Sequence, residues 1–294
     1  VAERAHRQRR RGEPHQLQQR VAAARGRRRS ALAQMLTTSA RVVPWVRGLR
    51  WLGGGWRLFR VAPFAWIALV FVYWMLMSIA SMLPVVGIAL ASILVPPFSV
   101  GFMAVSRAAA RRAPLAPQLL FSGFTERLET QLLLGGIYLA CLALLLAASA
   151  LADGGAMAHW LVTGERPAEE ALQSGAFLMA LASAAALYLP VMFAFWFAPV
   201  LAAWHGMGAA KALFFSLFGC LMNWRAFLAY GAAAALLIAA APIAVLTALD
   251  WMLRGALRAQ AVTLLLPLLL VILPTLLASF YASYRDIFGT PEAS

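Results

Sequence analysis

Charge is what this sequence has least of. Asp, Glu, Lys and Arg make up 12% of its 294 residues and apolar types 63%, whereas a soluble domain carries about 25% charged and about 45–50% apolar residues. A membrane protein is therefore the expected class. A soluble helical core would need helices with one polar face, and the long runs here are apolar all round. A lipid-spanning strand barrel would alternate over segments of roughly ten residues, which these runs do not. Cysteine is almost absent. Cys141 and Cys220 lie in or beside apolar runs, with no CxxC and no histidine at metal spacing, so a disulfide framework and a zinc site are excluded and two buried thiols are expected. The short signatures of chemistry are missing as well: there is no HExxH, no GxSxG and no GxxxxGK[ST], and the four histidines, His6, His15, His159 and His205, are scattered. Without paired carboxylates, a nucleophile beside a base or a metal cluster, the chain reads as no enzyme. No catalytic, cofactor-binding or metal-binding residue is assigned, and no cofactor is expected.

The charge that is present is unevenly placed. The net charge is +14, yet fifteen of the 25 Lys and Arg lie in residues 1–60; a basic end is not a basic stripe on a folded face, so nucleic acid is not an expected partner. Residues 1–34 hold ten arginines against two glutamates with no apolar periodicity and are expected to be disordered. The abrupt change of composition at Met35 suggests an overextended gene start with initiation there; a basic cytoplasmic tail and an organelle transit peptide are the alternatives, the last weakened because Ser30 is the segment's only serine.

A bilayer core about 30 Å thick takes roughly 20 helical residues to cross, so run lengths count crossings. Val61 to Ser106 is free of charge and histidine for 46 residues, enough for two helices joined at "LPVVG", Leu83 to Gly87. Thr130 to Ala152 supplies a third, Ala171 to Trp204 one long helix interrupted by Pro190 and Pro199, Ala226 to Leu249 a fifth and Ala259 to Tyr284 a sixth. The expected fold is all-α and polytopic with six spans. Its divisions are the extension 1–34, an interfacial segment 35–60, a transmembrane domain 61–285 and a tail 286–294. Six spans put 22 basic residues on one side and three, Arg166, Arg254 and Arg258, on the other; without residues 1–34 the ratio is still 12 to 3. Lys and Arg are retained in cytoplasmic loops, so both termini are expected in the cytoplasm.

The stretch "WVRGLRWLGGGWRLFR", residues 45–60, has Trp45, Leu49, Leu52, Trp56 and Phe59 on one helical face and Arg47, Arg50, Gly54 and Arg57 on another. Such a helix is expected to lie in the headgroup layer, Trp at the interface and Arg toward anionic lipid. Gly53, Gly54 and Gly55 each weaken it by about 1 kcal/mol relative to Ala, so a kinked or partly unwound helix is expected. Similar faces precede the third span (Leu120, Phe124 and Leu128) and the fifth (Leu213, Phe214, Leu217 and Leu221, opposite Ser216, Gly219 and Asn223). Leu-Phe recurs at 58–59, 120–121 and 213–214, followed by Tyr73, Tyr138 and Tyr230. In the even spans Pro97, Pro199 and Pro274 precede Arg107, Lys211 and Arg285 at similar distances. Three copies of one unit are expected, each an interfacial helix and a hairpin, with the 153–173 loop inserted in the second.

An ionisable side chain inside a span would be a functional hypothesis by default, and none lies well inside these six. The small residues Gly135, Gly136, Gly231 and the alanines 232–235 are read as close helix contacts, and the prolines as packing kinks. His205, in "WFAPVLAAWHG", is read as an interfacial hydrogen-bonding residue. At this motif, Trp196 to Gly206 followed by Lys211 to Ser216, and with Trp56, Leu58, Phe59 and Pro63 upstream, the chain resembles a family of proteobacterial six-span inner-membrane proteins over nearly everything from Met35 onward. The resemblance implies a fold and a location and lends no site residue. A structural or partner-binding component of the envelope is the expected role, with anionic lipid and a membrane protein as partners; a transporter or channel for a small uncharged or lipidic solute is the alternative.

Overall fold

The computed structural model describes residues 40–82, 86–252 and 261–289. The extension 1–34, most of the "LPVVG" turn and the last five residues lie outside them. Helices and their connections account for every described residue, with no strand among them. The elements used below are α1 (Val46–Phe59), α2 (Pro63–Ser81), α3 (Val86–Ala110), α4 (Leu128–Asp153), α5 (Ala156–Thr163), α6 (Gly175–His205), α7 (Ala209–Met222), α8 (Trp224–Ala235), α9 (Ala241–Met252) and α10 (Ala261–Phe288). Six helical stretches among the described residues are long and apolar enough to cross a membrane: α2, α3, α4, α6, the stretch Trp224–Ala248 formed by α8 and α9, and Pro267–Phe288 within α10. The run lengths of the sequence therefore locate the spans to within a few residues. α6 is the single 31-residue helix expected. α10 continues to Phe288, past the expected boundary at Tyr284 and Arg285, and takes Asp286, Ile287 and Phe288 out of the tail.

Local chemistry sets the ends. Pro63 opens α2, where its missing N–H costs nothing, and the buried Trp66 donates Nε1–H to the Leu58 carbonyl at 3.1 Å, fixing the corner from α1 into α2. Ser174 caps α6 by accepting from the Phe177 N–H at 3.1 Å, and Gly206, at φ +64°, stops it. Asp153 accepts from the Gly155 and Met157 N–H groups at 2.9 and 2.8 Å and so starts α5. One π turn, Leu236–Ala240, joins α8 to α9. Pro242 has no N–H for the Ile238 carbonyl, and the wider turn follows.

Burial is concentrated where the odd-numbered spans begin and the even-numbered spans finish. In α6, Phe193 and Phe197 to Ala202 are buried, whereas Leu178, Met179 and Leu181 near its start are 57, 63 and 51% exposed. α4 buries Gln131, Leu134 and Gly135 and leaves Leu151 90% exposed. Lipid tails are as apolar as leucine, so close packing and polar contacts must hold such helices together. Two side-chain clusters do this. One joins Trp51, Phe197, Phe227 and Tyr284; the other joins Phe59, Trp66, Phe98, Phe102 and Leu120.

The three segments leading into odd spans dock in rotation. α1 lies on α10 and α8, residues 117–125 on α3, and α7 on α6, so each touches an even-numbered span, α1 the last of them. Each contact uses a small residue beside a proline-bent stretch. Gly55 abuts the Thr275 carbonyl, Gly123 the Pro97 carbonyl, and Ser216 Oγ donates to the Phe193 carbonyl at 2.7 Å while accepting from the Phe197 N–H at 2.8 Å. The spaced tyrosines each meet the next span: Tyr73 packs edge-on against Phe98 and Phe102, Tyr138 against Phe195, and the Tyr230 hydroxyl lies 2.7 Å from Ser279 Oγ. The Leu-Phe pairs do not share a position, since Phe59 is buried while Phe121 and Phe214 are exposed.

Two expectations are corrected. α1 is an unbroken helix through its three glycines, because packing offsets their propensity cost. Only one of the other two leading segments is a helix of any length: residues 117–125 form a 3₁₀ turn, Pro117–Phe121, and a single α turn, Ser122–Thr125. α7 has two faces, burying Ser216, Gly219 and Asn223 and exposing Phe214 and Leu221 by 56 and 45%, while Leu213 and Leu217 pack partly against the core. Small and polar residues point into the protein because they permit close approach, and large apolar ones meet lipid. Gly135 seats against the Ile93 backbone as expected, but a Cβ at Gly136 or Gly231 would meet nothing beyond its own helix within 4 Å.

Candidate functional site

The side chains that tie the helices of the described bundle together through hydrogen bonds and charge lie mainly at its tightly packed end. α1 carries an inner stripe of Gly48, Trp51, Gly54, Gly55 and Phe59, all buried, at the three- and four-residue spacing that one helical face requires. Trp51 is 1% exposed; its ring lies 5.2 Å from Phe227 and 5.9 Å from Tyr230, and its Nε1–H donates to Asp286 Oδ2 at 2.9 Å. Arg47 reaches the same carboxylate oxygen at 3.7 Å. Asp286 therefore pins α1 to α10 from within the last turn of the last helix. The outer face keeps Trp45, Leu49 and Trp56, which are 56, 43 and 41% exposed, beside the exposed Arg50 and Arg57. The interfacial face expected for α1 thus divides: Phe59 belongs to the inner stripe, Leu52 packs partly against the core, and Trp45, Leu49 and Trp56 remain outside.

The Trp-His-Gly sequence is a joint with three parts. The Arg107 guanidinium sits 4.3 Å from the centre of the Trp204 ring, a cation–π contact between α3 and α6. His205 Nε2 lies 2.7 Å from the Tyr284 hydroxyl, tying α6 to α10. The Gly206 carbonyl accepts from Arg127 Nη1 at 2.8 Å. His205 is thus the hydrogen-bonding residue expected of it. Deeper in, Gln131, fully buried, donates Nε2–H to the Pro199 carbonyl at 2.9 Å. Reading for ionisable residues missed Gln131, although a lone amide inside an apolar run marks such a bridge. Asp286 was missed because it followed the expected last span.

The segment before α1 is held by Asn223, at the α7–α8 junction. Its Oδ1 accepts from the Val43 N–H at 2.7 Å, and its Nδ2–H₂ donates to the Arg41 and Gly219 carbonyls at 3.0 and 2.9 Å. The Arg41 N–H donates to the Ile287 carbonyl at 2.8 Å. Between this strap and the start of α8 lies a pocket of about 430 Å³ bounded by Trp45, Trp224 and Arg225. A second, purely apolar groove of about 310 Å³ runs between α2, the π turn and α10, lined by Phe71, Trp74, Ile238 and Leu273.

No group of three or more His, Cys, Asp or Glu side chains that could hold a metal ion occurs among the described residues. His159 is exposed, 3.9 Å from Glu165, and Arg166 pairs with Glu169 at 3.2 Å in the same loop. His6 and His15 lie outside the described residues. Cys141 and Cys220 are free thiols; Cys220 is buried as expected, whereas Cys141, on a helix flank, is only half-buried. Burial pushes the Cys220 pKa up, which keeps it a thiol and a poor nucleophile.

The chain is 40% identical over 271 residues to a probable inner membrane protein of Burkholderia thailandensis, a match covering 88% of this chain and 95% of that one. No protein-family profile and no solved structure matches it.

Proposed function

We propose, from the premise that the chain belongs to the family of this probable inner membrane protein, that it is an envelope scaffold whose packed end holds a basic and aromatic face in the anionic headgroup layer. The chain is an integral inner-membrane protein, and the reading assigns it binding rather than a reaction. The observation that carries it is α1, pinned on its inner stripe by Trp51 and Asp286 with Trp45, Leu49, Trp56, Arg50 and Arg57 left outside. Trp favours the membrane interface, and each basic residue near an acidic surface contributes about 1 kcal/mol. The concentration of arginine before α2 and in the 107–129 loop supports a cytoplasmic placement of this end and of both termini. The outer face of α1 also suits a membrane-protein partner, which would cover the same tryptophans.

The test is a depth measurement. A fluorophore attached at Trp56→Cys, with Cys141 and Cys220 replaced by alanine, is expected to be quenched most by lipids brominated near the headgroup. Quenching strongest at mid-bilayer, or none from any depth, would overturn the reading. Arg50→Gln with Arg57→Gln is expected to remove about 2 kcal/mol of preference for acidic over zwitterionic vesicles. The apolar groove at Phe71, Trp74 and Ile238 supports a second reading, transport of a lipidic solute; movement of a fluorescent lipid between leaflets by the reconstituted protein would favour it.

A further inference from the structure

We infer that the pocket between the 41–45 strap and the start of α8 is a binding site for one acidic phospholipid, its phosphodiester held at Arg225 and its glycerol and first methylenes on the apolar floor. This rests on the proposed placement of the packed end in the headgroup layer and adds a discrete site to a diffuse surface.

Four observations meet here. The first is concavity: about 430 Å³ lies between two segments distant in sequence, where a surface that merely touches lipid needs no such recess. The second is construction. The wall is rigid because Asn223, 2% exposed, has its three hydrogen bonds satisfied by Val43, Arg41 and Gly219, so strap and helix cannot separate without breaking them. The third is charge. The lining contains Arg225 and no carboxylate. Arg41 joins the strap at its edge, and the nearby Asp286 is already engaged by Trp51 and Arg47. The fourth is depth. Trp45 and Trp224, 56 and 49% exposed, flank the opening, and Trp224 is the first residue of a membrane-spanning stretch. Val43 and Pro44 supply apolar lining, while the Arg225 guanidinium stands 5.4 Å from the Trp224 ring centre. That stacking limits the side chain's freedom without occupying its N–H donors.

The ligand chemistry follows. A phosphodiester offers oxygens to the planar guanidinium, and the net charge of an acidic lipid is favoured over a zwitterion because no carboxylate lines the pocket to receive a headgroup amine. A free phosphate would use the arginine and leave the apolar floor and both tryptophans unused.

The experiment is native mass spectrometry of the full chain in detergent, titrated with short-chain phosphatidylglycerol, with short-chain phosphatidylcholine and with glycerol phosphate. One phosphatidylglycerol is expected to be retained, more tightly than either other probe. Arg225→Gln, an exposed change that leaves the Asn223 bonds in place, is expected to weaken it about fivefold, whereas Arg166→Gln, in the loop between α5 and α6, leaves it unchanged. Equal retention of phosphatidylcholine overturns the proposal, as does equal binding of glycerol phosphate or an unchanged affinity in Arg225→Gln. Headgroup-depth quenching at residue 56 separates the two failures: if it persists, only the pocket falls, and if it is lost, the surface reading falls too.

Discussion

Gly53→Ala is expected to raise stability by about 1 kcal/mol, and Gly55→Ala, two residues further along the same helix, to lower it by about 3 kcal/mol. The three consecutive glycines look interchangeable in sequence, but α1 turns each toward a different neighbour. A Cβ at Gly53 meets nothing within 4 Å, so alanine there only improves helix propensity. A Cβ at Gly55 collides with the Thr275 carbonyl oxygen and approaches Ser279 N at 2.8 Å. Both are backbone of α10, and neither can rotate away as a side chain would. Gly54 falls between, with Ala282 Cβ at 2.8 Å. Unfolding in detergent, followed by helix signal against denaturant, reads the order. Equal effects at Gly53 and Gly55 would show that α1 is not docked on α10 through this stripe.

Asn223→Ala is expected to cost about 3 kcal/mol and to free the strap ahead of α1. One side chain satisfies the Val43 N–H and two carbonyls, those of Arg41 and Gly219, and alanine leaves them all without that partner. Buried polar groups stripped of a partner lose about 1–3 kcal/mol each, reduced here because the bonds to Val43 and Arg41 are only partly buried. Asn223→Asp keeps the acceptor for Val43 but sets a carboxylate oxygen against the Arg41 and Gly219 carbonyls in a buried site, so it should cost at least as much as alanine. Protease cleavage near Arg41, followed alongside unfolding, distinguishes a freed strap from a general loosening. Wild-type stability with unchanged cleavage in Asn223→Ala would contradict the role given to this residue.

The spans were legible because crossing a bilayer imposes a length and an apolar composition that run lengths report directly. The prolines inside α3, α6 and α10 were visible because proline leaves a residue-type signature. What the sequence concealed was facing. In a soluble helix the apolar side is the buried side, whereas α7 buries Ser216, Gly219 and Asn223 and leaves Phe214 and Leu221 outside. Where lipid surrounds the helix, apolar bulk carries no inward drive, and small or hydrogen-bonding residues mark the contact. The stripe Gly48, Trp51, Gly55 was readable by that rule. Asp286 and its bond to Trp51 were not, because they join residues 235 apart in sequence.

The central claim is that hydrophobic runs fix six crossings, so that the ends of α3 and α4 emerge on opposite faces of the membrane. Paired reporter fusions after Arg111 and after Asp153, one reporter active only in the cytoplasm and one only outside it, measure this most directly. The account expects the cytoplasmic reporter to be active at Arg111 and the external one at Asp153. Activity of the same reporter at both positions would contradict it.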